Sequence, residues 1–167
     1  WDRMGGWNLV VVYENGNEPM RNLTVFDGFE TVEYGVTVPS IPLSGFLTPP
    51  SGPVNAKVGV MALEGDRGTS GDTLRFGGTA PRAGSNPSTN SHHRSLSLLG
   101  ADDSPKTPTA VNQIGFDADI VDASGILANS STSTTVNTST TGDAYWPTVI
   151  TTAIEVFAPV IDGGASK

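Results

Sequence analysis

Between residues 54 and 63, "VNAKVGVMAL" places Val54, Ala56, Val58, Val60 and Ala62 at every second position, with Lys57, Gly59, Met61 and Leu63 between them. A period of two puts alternate side chains on opposite faces, which is the geometry of a β-strand and not of a helix. Similar short runs recur along the chain, separated by clusters rich in Gly, Pro, Asn and Asp. "ENGNEP" after Tyr13 is such a break, since Asn15-Gly16 supplies positive φ at little steric cost. The 20 glycines and 12 prolines among 167 residues, with many Ser and Thr, favour strands and ordered turns over helices. The expected fold is therefore all-β: a β-sandwich, jelly-roll-like or Ig-like, of about eight strands with little or no helix.

Individual runs carry more specific expectations. "WNLVVVY" is apolar at nearly every position and reads as a central strand, so Leu9, Val10, Val11, Val12 and Tyr13 are expected to be buried beside a strand of this chain. Their other side is expected to face a neighbouring molecule, and Trp7 is expected to pack in the interior. "RNLTVFDGFETVEY" offers Leu23, Val25 and Phe29 as inward residues. "VTVPSIPLSGF" carries Pro39 and Pro42, which cannot donate to a ladder, and belongs at a sheet edge. "TSTTVNTST" suits a half-exposed strand, and "TVITTAIEVFAPVI" reads as the last core strand. Residues 79–108 lack this periodicity and read as one long surface loop, with a helical turn at "RSLSLLG" ended by Gly100.

The net charge of −8 disfavours binding to phosphate backbones and to anionic membrane surfaces, and no stretch approaches the ~18 apolar residues of a membrane span. Without a single cysteine the chain has no disulfide, thiolate metal site or cysteine nucleophile. Such a Cys-free, acidic, Thr/Ser/Gly-rich composition suits a bacterial cell-surface module.

Chemistry-bearing residues are sparse. Glu64, Asp66 and Asp72 lie amid glycines in "EGDRGTSGD", and Asp117, Asp119 and Asp122 follow in "GFDADIVDASG". Carboxylates on tight loops are the ligands Ca²⁺ uses, so these six are the calcium candidates, although their spacing is not that of an EF-hand. The alternative is ordinary turn capping by Asp side chains. Asp117 and Asp119 would share a strand face, as do carboxylate pairs on many non-catalytic sheets. His92-His93 reads as part of a solvated loop, because adjacent residues of an extended segment point apart. No "GxSxG" elbow is present, and the chain is read as non-catalytic. "GDAYWP" looks like a loop tip, making Tyr145 and Trp146 candidates for stacking on a sugar ring.

Six ordered blocks, "GGWNLVVVYEN", "RNLTVFDGF", "SGFLTPPSGPV", "GVMALEGDRGTSGD", "NQIGFDADIVDASGIL" and "TGDAYWPTVITTAIEVFAP", together resemble the DUF3344-like N-terminal β domain of large bacterial surface proteins that carry DUF11 (Ig-like) repeats. The resemblance spans about residues 5–159; its one departure is "STNSHHRS" in the long loop, where the family has Asn/Phe-rich text. It implies secretion to the cell surface and a non-catalytic role in envelope, adhesion or matrix architecture. The apolar ends and Pro-marked edge strands favour strand addition between protomers of an extracellular filament or layer, so the expected partners are copies of the chain itself or other segments of the same large protein. A glycan-binding adhesin module, calcium-stabilised, is the alternative. It also implies one sandwich domain over residues 1–160 that lacks its N-terminal portion, with 161–167 opening a linker or the next repeat.

Overall fold

The computed structural model describes residues 5–64, 68–81, 84, 87–92, 95–102, 105–107, 109–113 and 115–159. Among them there is no helix, and ten strands form two sheets. The strands are β1 (Arg21–Asp27), β2 (Val32–Glu33), β3 (Ile41–Ser44), β4 (Ala56–Glu64), β5 (Thr73–Phe76), β6 (Leu96–Leu98), β7 (Ala101–Asp102), β8 (Phe116–Asp122), β9 (Ser133–Ser139) and β10 (Ala144–Glu155). Seven of them make the larger sheet in the order β1-β10-β4-β8-β6-β7, with β2 continuing the β1 side of β10; β3-β9-β5 make the smaller sheet. The fold is all-β, as the period-two runs require.

The alternation in β4 decides the core. Ala56, Val58, Val60 and Ala62 point inward and are buried. Val121 from β8 and Ile150 and Ile154 from β10 join Ala56, Val58 and Val60, and Leu43, Leu74, Phe76 and Val136 of the smaller sheet complete one apolar cluster drawn from both sheets. Each such side chain removed from water contributes roughly 1.5–3 kcal/mol. β10 crosses the middle of the larger sheet although it contains Pro147, and the register shifts between Pro147 and Val149. A bulge there lets a residue without an N–H sit inside a central strand. Gly77 and Gly78, at φ +56° and +78°, join Phe76 to Thr79 in a two-residue turn whose flanking residues exchange both backbone hydrogen bonds, at 2.8 and 3.0 Å. Positive φ at both central positions is the type I′ geometry that suits strand twist. As Pro42 within it requires, β3 is an edge strand, pairing among the described residues with β9 alone.

Several expectations are corrected. Residues 5–13 belong to no strand, and Trp7 is 83% exposed and Leu9 76% exposed. An apolar run specifies strand propensity but supplies no partner, and no described strand pairs with it. In β1 the inward face is the other one: Phe26 packs on the core while Leu23 and Val25 face outward, and Phe29 lies exposed beyond the strand. A shift of one residue exchanges the faces of a strand completely. The segment 79–108 is not one loop. It contains β6, parallel to β8, and a turn through Leu99 and Gly100, both at positive φ, into β7; the expected helical turn is thus a strand and a tight turn.

Candidate functional site

Polarity is inverted at one corner of the larger sheet. In β8 the buried positions are Asp117, Asp119 and Val121, while Ile120 is exposed. β6 runs alongside with Ser97 opposite Asp119 and Leu98 opposite Ile120. The strand pair thus turns Ser97, Asp117 and Asp119 inward together with Val121, and Leu98 and Ile120 outward, and Ser97 Oγ donates to Asp119 Oδ1. Burying polar groups is tolerated only where they find each other, which accounts for the concentration of several at this corner.

The segment leading into β6 brings the remaining members. His92 is fully buried and its Nδ1 lies 3.9 Å from Asp117 Oδ2, an approach longer than a hydrogen bond. Tyr145, at the start of β10, is also fully buried, and its ring centroid is 4.4 Å from that of His92. The Tyr145 hydroxyl donates toward the carbonyl oxygens of Ser139 at 3.2 Å and Thr73 at 3.4 Å. Burial pushes the Tyr145 phenol far above the ordinary tyrosine range, the negative charge of Asp72 pushes it further, and hydrogen bonds with Thr138 and Ser139 draw it only partly back. Asp72, buried just ahead of β5, is fixed through its backbone, whose carbonyl accepts from Ser91 N at 3.0 Å. Asp72, His92, Asp117, Asp119, Ser97 and Tyr145 therefore form one enclosed polar cluster beside the core.

Gly71 sets the entry of Asp72 into that cluster. At φ +136° it adopts backbone space that L side chains rarely enter, and an added Cβ would stand 2.6 Å from Thr141 Oγ1, 3.0 Å from Thr141 N and 3.1 Å from Gly142 N. Gly71→Ala is expected to lower stability by about 2–3 kcal/mol, since backbone atoms cannot yield as a flexible side chain would. Urea unfolding of the variant and the parent at one pH measures it, and a difference below about 0.5 kcal/mol would show that the loop re-forms elsewhere.

The sequence-derived candidates separate in space. Asp72, Asp117 and Asp119 enter the cluster. Asp122 lies on the opposite face of β8, beside Lys57 in the strand register, and its Oδ1 accepts from Ser124 N in a local turn at 2.9 Å. Glu64 ends β4 at φ +68°, opposite Tyr145 in the register, and Asp66 lies outside the described residues. Among the described residues no group of three or more His, Asp or Glu side chains is arranged to hold a metal ion. A concavity beside the cluster, lined by Val60, Leu74, Pro81, Ser91 and Asp119 among others, has room for about one water molecule.

Two site expectations are corrected. Tyr145 is no loop-tip platform: it is a strand residue whose ring packs with Val32 and Ala62, so no sugar can stack on it. Its neighbour Trp146, on the opposite side of the strand, is half-buried, with Nε1 donating to Thr31 Oγ1 at 3.1 Å. His92 is interior rather than solvated, and His93 lies outside the described residues. The sequence does hold a sign of this corner. Ser95, Leu96, Ser97 and Leu98 alternate with period two, the pattern of a strand, but with serine on the inward side.

No protein-family model matches the chain, and a search of curated proteins finds no match.

Proposed function

We propose that this chain is a non-catalytic structural module of a bacterial cell surface or extracellular filament, working by association with copies of itself or with other segments of the same large protein. One observation carries the reading: among the described residues a run of exposed apolar side chains, at residues 7 and 9–13, belongs to neither sheet. Exposed apolar surface of that extent on a folded domain marks a contact surface. The resemblance to large bacterial surface proteins supports the extracellular setting. The polar cluster supports the non-catalytic part, because His92, Asp117 and Tyr145 are closed off from any substrate and serve as a packed polar core.

Association is the test. Light scattering behind size-exclusion chromatography is expected to show a mass that rises with concentration above the 17.3 kDa of the single chain. A constant single-chain mass up to about 1 mM, the weakest association such a measurement resolves, would overturn the reading.

A further inference from the structure

Resting on that reading, we propose a specific contact: residues 9–13 of one copy add as a strand to the free edge of β1 in a second copy. Among the described residues the two sheets present four edges, and they are not equivalent. β3 carries Pro42, β5 is four residues long with a charged Arg75, and β7 is two residues long and ends in Asp102. β1 is seven residues long, and positions 22–26 are Asn, Leu, Thr, Val and Phe, without charge, proline or bulge. Its charges are confined to its two end residues, Arg21 and Asp27, and Leu23 and Val25 add exposed apolar side chains beside the backbone edge that no described strand pairs with.

The donor matches this acceptor. Leu9, Val10, Val11, Val12 and Tyr13 are strand formers with no charge, Gly or Pro, and they are exposed and unpaired in the single chain. Five residues span about 17 Å as a strand, which fits within the length of β1. Backbone hydrogen bonds would give the affinity and the alternating apolar side chains the register.

The chain's own donor is held away from its own edge. A Cβ on Gly6 would meet Phe116 at 2.9 Å and Leu63 at 3.7 Å, and Asn8 Nδ2 approaches Met61 Sδ at 2.8 Å. Those residues belong to β8 and β4, which lie inward of β1 by at least one intervening strand, so the segment starts over the outer face of the sheet, about 10 Å from its edge. No described residue of the same molecule pairs with the outer edge of β1.

The absence of cysteine makes the test direct. Val11→Cys and Thr24→Cys, introduced in separate chains and mixed under oxidising conditions, are expected to give a disulfide-linked heterodimer. Val11→Pro, at an exposed position outside both sheets, is expected to raise the concentration needed for association at least about ten-fold and to leave the melting temperature of the single chain unchanged. If the parent associates and Val11→Pro associates equally well, this contact is wrong and the assembly reading stands. If a chain carrying both cysteines closes a disulfide within itself while the mixture gives no heterodimer, the segment pairs with its own β1 and the contact between copies is overturned. A parent that stays a single chain at all concentrations removes the assembly reading itself.

Discussion

Tyr145→Ala is expected to lower the free energy of unfolding by about 3–5 kcal/mol, the range for truncating a large buried aromatic side chain. The residue contributes on three sides. Its ring closes the small cluster of Val32 and Ala62, with half-buried Val38 against it, and thereby fastens β2 to the larger sheet. The same ring lies over His92, and the hydroxyl ties β10 to the start of β5 and the end of β9 through Thr73 and Ser139. Tyr145→Phe separates these contributions: it keeps the packing and loses only the hydroxyl contacts, a change of about 1 kcal/mol. Alkaline pH provides an independent readout. The folded phenol is held protonated far above its unfolded value of 10.0 by burial and then by Asp72. The unfolded chain therefore releases this proton first, and the contribution to stability is complete below about pH 10 and lost as pH rises beyond it, at up to about 1.4 kcal/mol per pH unit. Urea unfolding at pH 8 and pH 11 is expected to show that decline in the parent and a weaker one in Tyr145→Phe. Equal declines in the two proteins, or an alanine variant within about 1 kcal/mol of the parent, would mean that Tyr145 is not the keystone of this corner.

What the sequence reveals of this fold follows from how local the information is. Alternation in β4 and the prolines ahead of and within β3 depend on neighbours one or two positions away, and both read correctly. Which face of β1 points inward depends on its partner β10, and there Leu23 and Val25 misled while Phe26 was the core residue. In β8 the alternation of Asp117 and Asp119 with Ala118 and Ile120 was legible. Its orientation was not, because the usual rule sends carboxylates outward, and only the arrival of β6, His92 and Tyr145 gives them an interior to share. "WNLVVVY" fails for a related reason. Its residues state a strong preference for a strand, and among the described residues no strand offers it a partner edge.

His92→Leu tests whether the enclosed cluster acts as a unit. The substitution keeps an apolar body under the Tyr145 ring and removes the imidazole that faces Asp117. Removing one member of a buried polar contact leaves the other with its desolvation cost and less compensation, a loss of about 1–3 kcal/mol. His92→Leu is therefore expected to unfold at markedly lower urea concentration than the parent at neutral pH, with no change in the slope of the transition. Asp117→Leu alone should also destabilise. Made together, the two substitutions replace the pair by aliphatic groups that can join Val121 and Leu74, and they are expected to cost less than the sum of the single changes by about 1–3 kcal/mol. Strict additivity would show that His92 and Asp117 are merely neighbours. A double variant as stable as the parent would show instead that the cluster is retained at no gain in stability, and that its role lies in fixing the parallel register of β6 against β8.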